Sequence, residues 1–273
     1  MKKLTLLYLF LISFTLTSCA SVGIMREKYT NPEVLPKEIL CPPEQAITWE
    51  EIRPGFHETD FIIEEINVKW ACVRIDLETP GITFSATPNK KQLRHRFFLK
   101  NVSKGSTVSV NTTPFDLTGR TYIPVSVVKI DGETVCPVNP AYCALCLNKE
   151  TKRAEILPTQ NEKIDEYDYA FGGFYTILEN GEIKEFAKYK RSRTACGISG
   201  EGRYLYLFAT CGINCPTGRN GLNFEECAII LQALGCTNAM EFDGGHSTGL
   251  TINGKNKIKP TLQRKVPATF SIY

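Results

Sequence analysis

The sequence predicts an α+β fold, a strand-rich single domain in which an antiparallel or mixed sheet carries a few packed helices. Short β-rich runs bounded by turn residues recur along most of the chain. Only two segments show a clear helical pattern, and the 273 residues contain neither repeats nor low-complexity stretches. These observations favour one hydrophobic core in which strands dominate.

The predicted strands start with a hairpin, in which Val68–Leu77 and Ile82–Ala86 are joined by the turn Thr79-Pro80-Gly81. A basic, amphipathic segment, Lys91–Asn101, is expected to form a short surface helix whose charges face water rather than anionic lipid. Further strands are predicted at Thr107–Asn111, Ile123–Ile130, Thr134–Cys136, Ala141–Leu147, Tyr175–Leu178 and Val266–Ile272.

Residues 1–18 have the pattern of a secretion signal peptide, with two lysines, an apolar run too short to span a bilayer comfortably, and small residues at its end. Leu16-Thr17-Ser18-Cys19 matches a bacterial lipobox, so Cys19 is expected to become the lipidated, palmitate-bearing first residue. We therefore expect an exported lipoprotein, anchored through Cys19 to the cell membrane or the outer-membrane surface. The alternatives are an ordinary signal peptide or a membrane span.

The rest of the chain divides into a proline-containing tether, residues 19–46, and a folded domain, residues 47–273. Loss of the signal peptide removes Lys2 and Lys3, so the formal net charge falls from +3 to +1. This charge is too low for a nucleic-acid-binding surface and no such motif occurs, so we exclude nucleic acid as a partner.

Eleven cysteines are many for this length, and an exported chain can form disulfide bonds. Cys143 and Cys146 point to opposite faces of an extended segment that lacks a glycine knuckle, which disfavours zinc. Cys196, Cys227 and Cys236 are expected on core faces as small hydrophobic residues. The better disulfide candidates, whose pairing the sequence does not give, are Cys41, Cys72, Cys136, Cys143, Cys146, Cys211 and Cys215.

The best-defined helix is predicted over Asn223–Leu234. Asn223 suits the N-cap, Glu226 stands three residues later as in a capping box, and Gly235 suits the helix end. Glu226 falls at the edge of the apolar arc, where a carboxylate must be hydrogen-bonded, paired or functional. It either only caps its own helix or also serves a site.

A short apolar strand, Asn238–Phe242, leads into Asp243-Gly244-Gly245-His246-Ser247-Thr248. An acid at a strand end followed by glycines can present its carboxylate beside exposed backbone N–H groups. Asp-Gly-Gly is also a common plain turn. Beyond it, Leu250 and Ile252 alternate with polar residues before Asn253-Gly254, which predicts a type I′ hairpin.

A second hairpin is predicted upstream, in which Arg191–Ile198 and Arg203–Thr210 flank the turn Ser199–Gly202. Arg193 begins the first of these strands, so we expect its guanidinium at the rim of a sheet. There it is either simply solvated or holds a phosphate through two parallel hydrogen bonds.

Taken in order, these segments resemble the phosphodiester glycosidase family. The resemblance lies in R-T-A-x-G from Arg193, a hairpin, G-L-N-x-x-E-x-A from Gly221, D-G-G-x-S-T from Asp243, and N-G at Asn253. It is strongest across these motifs and extends over roughly Trp49–Tyr273.

Outside these motifs, Arg264-Lys265-Val266-Pro267 resembles the closing strand of the family, and Val110–Phe115 takes the place of an N-G-G-x-F segment. The chain also departs from the family pattern in three places. Ala209–Gly212 has no acid where relatives have V-D-G, Asn111-Thr112-Thr113 replaces N-G-G, and His246 replaces a glycine.

The resemblance implies a hydrolase that cleaves the bond between a sugar and a phosphodiester without a cofactor. Asp243 or Glu226 would activate water or attack the anomeric carbon, and the other carboxylate would orient sugar hydroxyls. Arg193, with the backbone N–H groups of Gly244 and Gly245, would hold the phosphate.

His246 either binds the phosphate or a sugar hydroxyl, or is a satisfied turn residue. Asn111, Thr113 and Phe115 would line the sugar pocket. Calcium held by Asp243, Glu226 and turn carbonyls is a minority alternative, since no ligand spacing demands it. Two other functions remain open: a surface lipoprotein that binds glycan through a degenerate glycosidase site, and a hydrolase of ordinary glycosides.

Overall fold

The computed structural model describes residues 34–186 and 189–273. The predicted signal peptide, Cys19 and the first part of the tether lie outside these residues, so their assignment stays a prediction. Within the described part, no helix combines the length and apolar character needed to cross a membrane. The end of the predicted tether packs onto the domain: Leu40 and Cys41 are buried, and Trp70 Nε1 donates a hydrogen bond to the Leu40 carbonyl oxygen at 2.9 Å.

The described residues form three short α-helices and eighteen strands. The helices are α1 (Lys37–Leu40), α2 (Leu99–Val102) and α3 (Phe224–Ala233). The strands are β1 (Glu50–Arg53), β2 (Phe56–Ile63), β3 (Val68–Asp76), β4 (Phe84–Thr87), β5 (Val108–Asn111), β6 (Val128–Ile130), β7 (Glu133–Cys136), β8 (Cys143–Asn148), β9 (Arg153–Leu157), β10 (Tyr169–Gly173), β11 (Thr176–Glu179), β12 (Glu182–Ile183), β13 (Arg193–Ser199), β14 (Tyr204–Gly212), β15 (Asn238–Glu241), β16 (Leu250–Ile252), β17 (Lys255–Ile258) and β18 (Thr269–Ile272).

The strands assemble into three antiparallel sheets. The central sheet has eight strands in the order β1-β2-β3-β14-β13-β15-β11-β12. Two five-stranded sheets follow the orders β7-β6-β10-β8-β9 and β17-β16-β5-β18-β4. The predicted class, strand-rich α+β with antiparallel sheets and few helices, is confirmed.

The central sheet separates two apolar clusters. On one face, Trp70 and Phe208 pack against Ile230 of α3, so that the helix covers this side of the sheet. On the other face, Leu207 and neighbouring side chains meet the two smaller sheets around Phe270. Strand β15, which leads to Asp243, contributes to both clusters: Ala239 belongs to the cluster on the helix side and Met240 to the cluster on the other side.

The predicted hairpin of Val68–Leu77 with Ile82–Ala86 is wrong. Strand β3 is paired along its length by β2 on one side and β14 on the other, which leaves it no free edge. The following segment instead forms β4, which pairs with β18 near the end of the chain. The choice of partner is a long-range contact that the local turn signal does not contain.

The predicted surface helix Lys91–Asn101 is also wrong. The segment contains a 3-10 turn at Lys90–Gln92 and only the start of α2. Between them, the Phe97 N–H donates to the Val266 carbonyl oxygen at 2.9 Å, which forms an isolated bridge to the chain before β18. This tertiary pairing overrides the weak helical periodicity.

Three local predictions around the Asp243 turn are confirmed. The Arg191–Thr210 hairpin exists as β13 and β14, with Arg193 opposite Thr210. Helix α3 has Asn223 as N-cap and a complete capping box with Glu226. The Asn253-Gly254 turn has positive φ values of 49° and 69°, as a type I′ hairpin between β16 and β17 requires.

The expectation of disulfide bonds is wrong for the described residues. Their ten cysteines are all free thiols and all buried, including the candidates Cys41, Cys72, Cys136, Cys143, Cys146, Cys211 and Cys215. They serve as small apolar side chains in the core clusters, as predicted only for Cys196, Cys227 and Cys236. Cys143 and Cys146 do face different clusters, as their spacing indicates.

Candidate active site

The turn that follows β15 is fixed on both sides by backbone hydrogen bonds. The Asp243 N–H donates to the Thr112 carbonyl oxygen at 2.9 Å, and Asn111 Nδ2 donates to the Asp243 carbonyl oxygen at 2.7 Å. The Gly245 N–H donates to the Ser192 carbonyl oxygen at 2.7 Å. The position of Asp243 is therefore set by β5 and by the residue before β13, which suits a group that must be held rigidly.

The two glycines do not present free N–H groups. The Gly245 N–H is engaged with Ser192, and the Gly244 N–H points at the carboxylate of Asp243 itself. The prediction that both N–H groups hold a phosphate thus finds no support in these contacts.

Close packing against this turn explains why residue 218 is a glycine: a Cβ atom there would lie 2.4 Å from the Gly245 carbonyl carbon.

Asp243 is half-buried, and its carboxyl group has an unusual acidity. Burial raises the pKa of Asp243 to about 6, against the lowering effects of the Ser247 hydroxyl, the Arg264 charge and the Gly244 N–H. A carboxyl with a pKa near 6 is ionised at neutral pH and is still a competent proton acceptor. Asp243 has the protonation behaviour that a general base or nucleophile needs.

Cationic groups surround this turn. The Arg264 N–H donates to the His246 carbonyl oxygen at 2.8 Å, which holds the chain before β18 against the turn. Burial lowers the pKa of His246, and the charges of Arg264 and Arg219 lower it further. Two guanidinium groups therefore lie within electrostatic reach of His246. Such a setting favours an anion, and guanidinium is well shaped to bind a phosphate.

The sequence predicts Arg193 at the rim of a sheet. In the structure the residue is instead buried, with 8% of its surface exposed. Its Nε donates to the Leu222 carbonyl oxygen at 3.0 Å and its Nη2 donates to the Tyr189 carbonyl oxygen. Its Cζ lies 4.0 Å from the centre of the Phe224 ring. Arg193 thus links the segment before β13 to the start of α3. This is a structural role, which differs from the predicted contact with a phosphate.

Glu226 is fully buried and its oxygens are engaged with the protein. Oε2 accepts from the Asn223 N–H at 2.9 Å, and Oε1 accepts from the Leu35 N–H at 3.1 Å. Lys190 Nζ lies 3.1 Å from Oε1. These are the contacts of a helix-capping, ion-paired carboxylate, and they give its predicted catalytic role no support.

Asn111 and Thr113 are buried inside the fold. Asn111 Oδ1 accepts from Thr194 Oγ1 at 2.7 Å and from the Gly249 N–H at 2.9 Å, so its amide links β5, β13 and the Asp243 turn. The Thr113 hydroxyl donates to the Val127 carbonyl oxygen at 3.4 Å. Their predicted place in a sugar pocket stays a prediction. The hydrogen bonds that the structure shows connect parts of the fold to one another.

Glu241 is a site residue that the sequence reasoning missed. It lies two residues before Asp243 and is fully buried, and its carboxylate interacts with the Cys227 thiol and the Arg193 charge. Burial raises the pKa of Glu241 to about 7, while the Arg193 charge and the Cys227 thiol lower it. The sequence does carry a signal for Glu241, which is an acid inside an otherwise apolar strand. Glutamate is almost never fully buried unless its charge is paired.

We expect Glu241→Gln to stabilise the protein at pH 8 but not at pH 4. The pKa of Glu241, about 7 in the folded chain, lies above its ordinary value of 4.5, so ionisation disfavours the folded state as the pH rises through this interval. The gain should be about 3 kcal/mol at pH 8, measured by urea unfolding. The exposed Glu162→Gln is the control, and a stability difference independent of pH would contradict the buried charge.

The cavity of about 310 Å³ between the end of β3, β4 and the β8–β9 turn is lined by none of these residues. Three of its charged groups are paired: Lys149 Nζ lies 2.9 Å from Asp131 Oδ1, and Arg153 Nη2 lies 2.7 Å from Glu78 Oε1. Within the described residues, no three His, Cys, Asp or Glu side chains are arranged to hold a metal ion. Asp243 and the cationic groups around it are the candidate site among the described residues.

The sequence matches the model of the phosphodiester glycosidase family over residues 102–273, more than half of the chain. The chain belongs to this family. The matched region contains Asp243, His246, Arg219 and Arg264, so the turn and its cationic surroundings all lie inside the family domain. No curated protein sequence matches the chain.

Solved structures with the same fold include two bacterial proteins and one vertebrate enzyme domain. A hypothetical protein from Synechocystis superimposes with a TM-score of 0.68 at 14% identity, over 85% of this chain and 64% of that one. The catalytic domain of zebrafish N-acetylglucosamine-1-phosphodiester alpha-N-acetylglucosaminidase, auto-inhibited by its pro-peptide, superimposes with a TM-score of 0.64 at 18% identity, over 90% of this chain and 96% of that one. A putative exported protein from Burkholderia pseudomallei superimposes with a TM-score of 0.53 at 11% identity, over 75% of this chain and 74% of that one.

At these identities the structural matches show the phosphodiester glycosidase fold alone. The chain spans less than two thirds of the Synechocystis protein, so nothing follows here about what that whole protein does. The departure at Ala209–Gly212 leaves Thr210 opposite Arg193, with its hydroxyl donating to the Lys69 carbonyl oxygen at 3.0 Å. This position has a structural hydrogen bond in place of an acid.

Proposed function

We propose that the protein hydrolyses the bond between the anomeric carbon of a sugar and a phosphodiester. Membership of the phosphodiester glycosidase family is the observation that carries this proposal. The half-buried Asp243, with a pKa of about 6, supplies the carboxylate that such chemistry requires. The substrate is a sugar 1-phosphodiester or a glycan that carries one.

In the proposed reaction Asp243 accepts a proton from water as the water oxygen attacks the anomeric carbon. The bond between that carbon and the phosphate oxygen breaks, and a phosphate monoester leaves with the electron pair. This leaving group is stable without protonation, so a separate general acid is less necessary than for an ordinary glycoside. Attack by Asp243 itself, followed by hydrolysis of the glycosyl ester, releases the same phosphate monoester and the same sugar, with retained instead of inverted configuration at the anomeric carbon.

Arg264, Arg219 and His246 are proposed to hold the phosphate. The two guanidinium groups offset its negative charge as the bond breaks, which stabilises the transition state. We assign Arg193 and Glu226 to the support of this site, because their polar atoms already bind the protein. This proposal revises the sequence-based division of roles while it keeps Asp243 as the reacting group.

The pH dependence of the reaction tests the role of Asp243. If its ionised form is the reacting species, kcat/KM for a sugar 1-phosphodiester should rise tenfold per pH unit below about 6 and level off above it. The measurement is initial rates from about pH 4.5 to 8.5 with a stability check at each pH. A rate that falls as the pH rises through 6 would show that the protonated carboxyl is needed instead.

We also propose that the chain is exported and anchored to a membrane through a lipid on Cys19. The sequence of residues 1–19 is the support for this proposal. In a bacterial host, Cys19→Ser should lose incorporation of a palmitate analogue and move the protein from the membrane to the soluble fraction. Equal membrane retention of the native chain and Cys19→Ser would rule out this anchor.

A further inference from the structure

One of the two five-stranded sheets is built from chain segments that contain no acidic residue. Strands β4 and β5 lie within residues 79–115, and β16, β17 and β18 lie within residues 244–273. These two segments hold eleven Lys and Arg residues and no Asp or Glu, whereas the whole chain has a formal net charge of only +3. Positive charge is therefore concentrated on this part of the molecule.

A groove of about 390 Å³ lies in this cationic region. We call five side chains in and beside it the cationic face: Phe98, Lys100, Lys259, Leu262 and Lys265. Lys265 Nζ lies 5.3 Å from the centre of the Phe98 ring, and Lys259 Nζ donates to the Pro260 and Thr261 carbonyl oxygens at 3.3 Å each. Within the part of the chain that the structure describes, none of these three lysines forms a salt bridge. Their charges can therefore meet an external anion.

Leu262 projects from a turn whose backbone is held in place. It is 64% exposed, more than any other large apolar side chain among the described residues, and Phe98 at the same groove is 40% exposed. The Leu262 N–H donates to the Pro216 carbonyl oxygen at 3.2 Å, and the Thr261 N–H donates to the Cys215 carbonyl oxygen at 2.9 Å. The fold thus presents apolar surface to water beside unpaired lysines, which is typical of an interaction surface.

We propose that the cationic face docks the domain onto the surface of an anionic lipid bilayer. Leu262 and Phe98 enter the interfacial layer, and the three lysines contact the phosphates of the lipid headgroups. Burial of apolar area and attraction to anionic lipid act together in such docking. The docking requires neither the proposed hydrolysis nor a lipid on Cys19.

The composition of the cationic face favours a bilayer over a nucleic acid or a protein. Nucleic acids are bound by cationic and polar side chains on phosphates and by open aromatic rings, which leaves Leu262 without a contact. A standard protein interface covers about 800 Å² per partner and has few charged residues at its centre, whereas here lysines surround two apolar side chains. A bilayer offers an apolar layer directly beneath a layer of phosphates.

The sequence alone favoured water for the charges of Lys91–Asn101, and the proposal changes this for Lys100. The reason is a contact between distant parts of the chain. The Phe97 N–H donates to the Val266 carbonyl oxygen at 2.9 Å, and the Val266 N–H donates to the Phe97 carbonyl oxygen at 2.8 Å. This pairing brings the exposed Leu262 to the same groove as Lys100.

The cationic face lies beside the candidate active site. Gln263 Nε2 donates to the Thr248 carbonyl oxygen at 2.9 Å, and the Arg264 N–H donates to the His246 carbonyl oxygen at 2.8 Å. The segment that carries two residues of the face is thus bonded directly to the turn that begins at Asp243. Docking would bring this turn close to the bilayer surface.

Sedimentation with lipid vesicles tests the docking. The parent is the chain from residue 19 onward with Cys19→Ser, so that no acyl chain is attached. In about 0.1 M salt it should bind vesicles of phosphatidylcholine with about 30% phosphatidylglycerol at least about tenfold more tightly than vesicles of phosphatidylcholine alone. Lys100→Gln/Lys265→Gln should weaken binding to the anionic vesicles about thirtyfold, and Leu262→Asn about tenfold.

The matched control is Lys37→Gln/Lys152→Gln, which removes the same charge at exposed positions outside the cationic face. Its binding should stay within about threefold of the parent, because charges far from the bilayer are screened. Equal loss of binding in the two double variants would overturn the proposal, since the location of the lysines would then not matter. Equal binding of the parent to both kinds of vesicle would also overturn it.

Leu262→Asn separates a bilayer from a soluble polyanion. If this variant binds the anionic vesicles as tightly as the parent, while heparin or poly(dT) competes with the vesicles, the face binds polyanions and the bilayer proposal fails. Hydrolysis of a sugar 1-phosphodiester in solution without vesicles should stay within about twofold of the parent in Lys100→Gln/Lys265→Gln. Docking without hydrolysis would refute the proposed function alone, and hydrolysis without docking would refute the cationic face alone.

Discussion

Asp243→Asn should lower kcat for a sugar 1-phosphodiester about 1,000-fold. The amide has nearly the shape of the carboxyl but cannot accept a proton or attack carbon at neutral pH. The backbone of the turn is held by Thr112, Asn111 and Ser192 and does not depend on the carboxylate. We therefore expect KM to change little and the fold to persist.

The matched control for this variant is Asp165→Asn, whose side chain is 85% exposed. It should have native kcat, and its Tm should fall only slightly, because the lost contact with Lys129 Nζ is long at 4.0 Å. A kcat of Asp243→Asn within about tenfold of native would place the reacting group elsewhere. Loss of both activity and cooperative unfolding would show that the carboxylate is structural.

Glu226→Ala should destabilise the protein by about 3 kcal/mol in urea unfolding. The substitution removes the capping box of α3 and leaves Lys190, whose side chain is 14% exposed, without its carboxylate. Removal of one partner from a buried ion pair costs more than the pair itself contributes, because the remaining charge stays desolvated. Activity of the folded fraction should stay within about tenfold of native.

Glu225→Ala is the neighbouring control in the first turn of α3. Glu225 Oε1 accepts one hydrogen bond, from the Phe186 N–H, so this loss should cost only about 1 kcal/mol. A Glu226→Ala variant with native stability and no activity would reverse our assignment. It would return Glu226 to the catalytic role that the family resemblance implied.

Much of the candidate site was predictable because its signals are local. The capping box at Asn223, the turn at Asn253-Gly254 and the strand end at Asp243 each depend on residues within a few positions of one another. The antiparallel partner of β13 was likewise predictable, since β14 follows it through a short turn. Such features need no knowledge of the rest of the chain.

The cationic surroundings of Asp243 were not predictable from local patterns. Arg219 comes from the loop after β14, and Arg264 from the segment before β18. The fold brings both within electrostatic reach of His246. The family resemblance included the segment at Arg264 but gave no reason to place its guanidinium beside the Asp243 turn.

Burial is what the local patterns do not determine. The predicted rim position of Arg193 is wrong because the residue is buried, and Glu226 is buried as well, while the predicted site roles of both residues stay predictions. The cysteines were assigned to disulfides from their number, whereas the sheets pack them as apolar side chains. Burial depends on how three sheets and α3 assemble, and the spacing of residues along one strand does not determine it.

The most direct test of the account is to find which bond the protein breaks. A sugar 1-phosphodiester is hydrolysed in water enriched in oxygen-18, and the products are examined by mass spectrometry and phosphorus NMR. We predict that the label enters the sugar at C1 and that an unlabelled phosphate monoester is released. Label in the phosphate, with release of sugar 1-phosphate, would make the protein a phosphodiesterase and contradict attack at the anomeric carbon.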